Sequence, residues 1–253
     1  MNEQLIQSLR LWAAEYNTRD FIKDDPIQFP HRFERKQDIE ISAFLTAWIS
    51  YGRRPMILSK AEELHSLMGE SPYRFIRDGT ATFHLLEEKA SRPGTRNTFY
   101  RFYTYGDLHM LCLRLQQIYD RHESLEDALL EYPEFSPVEK LQHLFAGIKG
   151  IPAVNGTSAC KRLAMFLRWM VRTDGIVDFG IWKKAITPRE LLIPLDTHVY
   201  QLSLKLGLTV QKTATLRTAK EITNALSVIF PEDPCLGDFA LFGYDINNSK
   251  LVE

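Results

Sequence analysis

Asp196, in the stretch LLIPLDTHVYQLSLKLGL (191–208), combines residue type and position in a way that suits chemistry. It stands just before Val199, Leu202 and Leu206, which follow helical spacing, and Gly207 marks the stop. Its carboxylate can therefore accept from the first amides of a helix. Those amides and the helix macrodipole favour the ionised form. A carboxylate held ionised at a fixed point stabilises positive charge that develops in a transition state. Asp196 is thus either only a cap, or a cap that is also the acid of an active site.

A second set of candidates lies in KGIPAVNGTSACKRLAMFLRWMVR (149–172). At 100° per residue, Ala159, Leu163, Phe166, Leu167 and Met170 share one side of a helix, and Lys161, Arg168 and Arg172 line up on the opposite side. The expectation is a basic stripe turned away from the buried face, either solvated or in contact with phosphates. The preceding IPAVNGTS carries the Pro, Asn and Gly of a short hairpin turn, and Thr157 or Ser158 can cap the helix that follows. Backbone amides around Gly156, Thr157 and Ser158 can hold a phosphate. A further segment, RNTFYRFYTYGD (96–107), interleaves five aromatics with two arginines, a pattern that fits either core packing or base stacking.

The elements that must position these residues read as helical. Ile41, Phe44, Leu45, Trp48 and Ile49 repeat at helical intervals from about Asp38 to Tyr51. Gly52 is a stop, and Pro55 suits the first turn of a helix carrying Ile57, Leu64, Leu67 and Met68 up to Gly69. Leu108, Leu111, Cys112, Leu115, Ile118 and Tyr119 form another apolar face, with Asp107 as its cap. Ser136 with Glu139, Thr187 with Glu190 and Thr218 with Glu221 carry the capping-box signature. Strand alternation is almost absent, so the fold class is all-α, a bundle of roughly ten short helices.

A chain of 253 residues, 45% apolar and 25% charged, can bury a proper core. No run approaches the ~18 apolar residues of a membrane span, and MNEQLIQSLRLW lacks the features of a signal peptide. The expectation is a cytoplasmic protein without membrane contact. Cys112, Cys160 and Cys235 are scattered, with no spacing for a metal site or disulfide framework, so no metal is expected. A net charge of −1 excludes nucleic-acid binding by overall basicity and requires a local patch.

A helix, a short hairpin of the form xPxVxG, a helix with a lysine in its first turn, and then PLDTHV…LGL resemble the signature of the helix-hairpin-helix DNA glycosylases. The whole chain is similar to an uncharacterised bacterial protein family distantly related to those enzymes. DIEISAFLTAWISYGRRPMILSKAEEL sits where the glycosylases have an early apolar helix, and EITNALSVIFPEDPCLGDFALFGYDI resembles their closing helices, so the likeness runs from about Asp38 to Asp245. Ala153 stands where the hairpin usually has glycine, an extra residue precedes Gly156, and the four-cysteine iron–sulfur loop of many relatives is missing.

The resemblance implies a two-lobed fold, residues 42–172 ending in the helix-hairpin-helix motif, and residues 1–41 plus 173–253 carrying LDTHV. It implies a cleft with Lys161 on one wall and Asp196 on the other. The implied function is base-excision DNA repair, cleaving the N-glycosidic bond of a damaged base, an oxidised purine being the favoured class, flipped out of double-stranded DNA. Asp196 would stabilise charge on the sugar, and Lys161 would form a Schiff base that adds lyase activity. Tyr51, Arg53 and Arg54 would fill the gap left by the flipped base or contact phosphates, and Gly156, Thr157, Ser158, Arg168 and Arg172 would hold the DNA. No cofactor is needed, and a monomer is expected. The alternatives are a non-catalytic nucleic-acid-binding module on the same fold, and a small-molecule nucleoside hydrolase.

Overall fold

Several helices begin where a small polar side chain precedes an apolar run, and the computed structural model, which describes residues 2–249, shows helices along the described chain. In order they are α1 (Glu3–Tyr16), α2 (Asp20–Asp24), α3 (Lys36–Ile49), α4 (Arg54–Met68), α5 (Pro72–Arg77) and α6 (Thr80–Ala90). A short antiparallel hairpin, β1 (Thr98–Tyr100) and β2 (Tyr103–Thr104), precedes α7 (Tyr105–Tyr119), α8 (Leu125–Leu129) and α9 (Pro137–Leu144). Then come α10 (Lys161–Val171), α11 (Thr197–Lys205), α12 (Leu216–Ser227), α13 (Leu236–Asp238), a π-helical stretch Phe239–Gly243, and α14 (Tyr244–Ser249). The chain is mostly helical, and no helix among the described residues is long and apolar enough to cross a membrane.

Several caps follow the residue pattern, and two shift. Thr187 and Glu190 form a reciprocal box, and Ser136 donates through both its amide and its hydroxyl to Glu139. At α7 the cap is Thr104, with Asp107 three residues inside the helix as its partner. At α12 the box is Thr215 with Thr218, and the Glu221 carboxylate instead accepts from the Val210 amide and the Gln211 side chain. In both shifted cases the true cap lies three residues upstream, because each helix gains one more turn than its apolar residues mark.

The chain divides into two compact units. One comprises residues 25–134 and 140–153, and the other the residues up to Asp24, Phe135–Glu139 and those from Val154 onward. This differs from the expected boundary at residue 172: residues 25–41 join the first unit because α3 packs on α4 and α5. Residues 154–172 join the second, which therefore holds both Lys161 and Asp196.

In the first unit α3 is buried from Asp38 to Ile49, so its polar residues must find partners inside. The Glu40 carboxylate accepts from Tyr119 Oη (2.8 Å) and the Leu125 amide (3.0 Å), and Asp38 accepts from Ser71 Oγ and the Tyr73 amide. His65 Nδ1 lies 2.7 Å from the Ala61 carbonyl and must donate to it, so Nε2 accepts from Ser42 Oγ at 2.6 Å. Burial lowers the His65 pKa to about 4.

The core of the second unit is drawn from Leu9 and Ala13 of α1, Val199 and Leu202 of α11, Ala219, Ile222 and Leu226 of α12, and Ala240 and Leu241 of the π-helical stretch. Each valine, leucine and isoleucine among them contributes about 1.5–3 kcal/mol by burial. Gly243 allows the close approach of α1, since a Cβ there would sit 2.3 Å from Tyr16 Cγ.

Candidate functional site

Asp196 closes α11 as its spacing predicts. Its Oδ1 accepts from the Val199 amide at 2.9 Å, and its backbone is extended, as a cap requires. The other oxygen, Oδ2, is left for a different partner, and Lys161 Nζ lies 3.7 Å from it. That separation is ion-pair range and beyond direct hydrogen-bond reach. The lysine side chain is 36% exposed and the aspartate 14%, so the pair sits at the edge of the unit rather than within its core. One carboxylate therefore serves the helix end and the lysine through different oxygens.

Lys161 opens α10, whose cap is Cys160 in the left-handed conformation (φ 53°) with no side-chain capping bond. Neither Thr157 nor Ser158 caps the helix: Ser158 Oγ accepts from the Cys160 amide at 3.2 Å, one residue before the helix begins. The exposed segment Gly156–Ser158 is fastened to the start of α12, with the Thr157 carbonyl accepting from the Leu216 amide and Ser158 bridging Thr215. The preceding helix ends at Leu144, so residues 145–160 form a longer connection than a tight hairpin.

The expected outward stripe on α10 is corrected. Arg168 is 4% and Arg172 1% exposed, and the helix is buried on every side from Leu163 to Val171. What covers the charged side is the segment RTDGIVDFG, which folds back on the helix end. The Phe179 and Trp182 amides donate to the Trp169 and Met170 carbonyls, and Gly180 (φ 56°) is required because a Cβ would meet the Arg172 carbonyl oxygen at 2.5 Å. This brings in Asp174 and Asp178, while Asp233 and Asp238 arrive from the α12–α13 region.

Arg172 reaches Asp233 through Nε (2.6 Å), Asp178 through Nη1 (2.7 Å) and Asp174 through Nη2 (2.6 Å). Arg168 pairs with Asp178 through Nε (3.3 Å) and with Asp238 through Nη1. Both guanidinium groups also lie over the Phe239 ring, at 4.6 and 4.9 Å. Burial raises the Asp178 carboxyl pKa against the pull of both arginines. Burial likewise pushes Asp238 up to about 6, with Arg168 opposing and the charge of Asp196 adding to the rise. Both arginines are thus buried counter-ions to these carboxylates.

The sequence held a signal for this network. Asp178 and Asp238 sit in the apolar contexts IVDFGIW and CLGDFALF, and charges set among large apolar residues need buried partners. His198, in the first turn of α11, bonds through Nδ1 to Asp245 Oδ2 at 2.7 Å. Cys160 is buried, and burial raises its thiol pKa, which leaves it a poor nucleophile. Among the described residues no group of three or more His, Cys, Asp or Glu side chains is placed to hold a metal ion.

Tyr51, Arg53 and Arg54 lie in the other unit, at the α3–α4 turn, with Tyr51 and Arg53 exposed and Arg54 half-buried. Of the five aromatics in residues 96–107, Phe99, Tyr100 and Tyr103 are core, Tyr105 is half-buried, and Phe102 is exposed.

The chain belongs to the family described as Protein of unknown function (DUF2400), which matches residues 25–247. No curated protein and no solved structure matches it.

Proposed function

We propose that this member of the DUF2400 family is a DNA base-excision glycosylase with lyase activity, and that Lys161 and Asp196 are its reacting pair. The observation that carries the reading is the division of labour at Asp196: Oδ1 is committed to the α11 amide, and Oδ2 faces a partly exposed lysine at 3.7 Å. The residue likeness to the helix-hairpin-helix glycosylases supplies the substrate class, a damaged base flipped from duplex DNA, with oxidised purines favoured.

In the reaction, the amine form of Lys161 forms a bond from Nζ to C1′ of the sugar. The C1′–N bond to the base breaks, the base leaves with the bonding pair, and the proton lost from Nζ ends on the base. Asp196 stabilises the positive charge that builds on the sugar during that exchange. Opening of the sugar ring then gives the Schiff base from which the lyase step proceeds. Every group this needs belongs to the chain or the substrate, so the reaction calls for no cofactor.

Borohydride trapping tests the reading. On duplexes bearing an abasic site or an oxidised purine, the wild-type chain forms a covalent adduct and Lys161→Ala forms none. Base release that survives Lys161→Ala and fails in Asp196→Asn would reduce the enzyme to a monofunctional glycosylase. Intact substrates with every variant would remove the chemistry and leave a nucleic-acid-binding module.

A further inference from the structure

We propose that the tip of the β1–β2 hairpin and the α3–α4 turn together form a surface for unpaired nucleic acid. A base stacks on the Phe102 face with Tyr51 set edge-on beside it, and Arg53 and Arg101 hold the flanking phosphates. The surface lies wholly within the first unit and does not depend on the chemistry proposed for Lys161 and Asp196.

Two large rings from separate segments are presented side by side. Tyr51 is 50% and Phe102 46% exposed, and their centroids are 5.5 Å apart in an edge-on arrangement. Neither ring moves independently of what lies beneath. Tyr100 Oη donates to the Tyr51 carbonyl at 2.9 Å, and the Phe102 ring rests on Tyr103 at 4.4 Å. Tyr103 is fully buried against Trp48, 4.0 Å away. Half-exposed rings held from below lose little freedom when a base stacks against them.

The backbone adds an independent sign. Tyr100 pairs with Tyr103, so Arg101 and Phe102 form a two-residue hairpin turn. Arg101 has φ 54°, at the position where such turns ordinarily carry glycine. Its guanidinium lies over the Tyr51 ring, 5.0 Å from the centroid. Gly52 (φ 111°) makes room for it, since a Cβ there would come within 2.7 Å of Arg101 Nη1. An uncommon backbone conformation kept at an exposed turn thus sets a cation beside two exposed rings.

Charge selects the occupant. Arg53, Arg54 and Arg101 cluster here, and residues 50–60 and 96–104 contain no Asp or Glu. The acids that follow along the chain are engaged, Asp107 by Lys149 and Glu63 by Lys60. Cations interleaved with exposed aromatic faces suit a polyanion whose bases are unstacked.

The test is an anisotropy titration of the full chain with a labelled oligothymidylate and with a fully paired duplex of equal length. The wild type should prefer the single strand, and Phe102→Ala or Tyr51→Ala should weaken that binding about five- to a hundredfold. Phe102→Trp should retain it. Met110→Ala, at a comparably exposed residue of α7, should leave it unchanged. Arg101→Gly, which relieves the backbone while removing the cation, should weaken binding and flatten its salt dependence.

Absence of wild-type binding, or indifference to Phe102→Ala, overturns the proposal. So does self-association abolished by Phe102→Ala without oligonucleotide binding, which would make this a protein-docking face. Lys161→Ala should bind oligothymidylate like wild type, so intact damaged-base substrates together with intact oligothymidylate binding remove the glycosylase reading and leave this one standing.

Discussion

The two ends of α10 carry cations on the same face and treat them in opposite ways. Arg168 and Arg172, near its carboxy terminus, are sealed among Asp174, Asp178, Asp233 and Asp238 with several contacts each. Lys161, seven residues before Arg168, meets one carboxylate at 3.7 Å and keeps a third of its surface open. A buried guanidinium paired with two or three carboxylates is committed to structure, because moving it would strand those carboxylates in a low-dielectric interior. A half-open ammonium held loosely is free to exchange its partner for a substrate. Function should therefore lie at the start of the helix and stability at its end.

That contrast can be broken by substitution. Arg172→Met takes the guanidinium from Asp174, Asp233 and Asp178, of which Asp178 keeps Arg168, and urea denaturation should show a loss on the order of 3–5 kcal/mol; a loss below about 1 kcal/mol would mean the network is dispensable.

A pH series sharpens the buried half. The Asp238 carboxyl is raised to about 6 in the fold, above the unfolded value near 4, so the folded state binds its proton more tightly. Its contribution is fully present below about pH 4 and is lost as pH rises through about 6. Melting temperatures of wild type relative to Asp238→Asn should follow that course, and a flat difference would contradict it.

At the open end, Asp196→Ala should cost about 1 kcal/mol through loss of the α11 cap. Asp196→Asn should cost almost nothing, because asparagine caps as well as aspartate, yet it should abolish base release. Equal activity in Asp196→Asn would make the residue a cap alone. Lys161→Ala should also have a small effect on stability, under about 1 kcal/mol, as expected for a partly exposed pair. A larger loss would place Lys161 with the arginines as a structural cation.

Much of the local structure was legible from residue order. The Gly52 and Pro55 punctuation between α3 and α4, the Thr187–Glu190 box and the Asp196 cap all depend on neighbours within a few positions. The α7 and α12 starts were misplaced because Thr104 and Thr215 precede the first buried apolar positions, Leu108 and Ala219, by a full turn, outside the window that periodicity marks. The α10 stripe was misread for a different reason. Periodicity correctly put Arg168 and Arg172 on one face, but whether that face meets water depends on what folds over it, and Asp238 lies 70 residues away. Likewise the aromatic run 96–107 could not reveal that Phe102 alone among Phe99, Tyr100, Phe102 and Tyr103 stays exposed, since that follows from the Arg101 turn.

The sequence by itself determined that the chain is helical, where most helices stop and start, and that Asp196 would close α11, because hydrogen bonding over three or four residues decides those things. Only the tertiary structure decided which cations of α10 are counter-ions and which one faces Asp196 in the open. Burial and charge pairing are set by segments distant in the chain, and the desolvation of an arginine cannot be read until its carboxylates are in place.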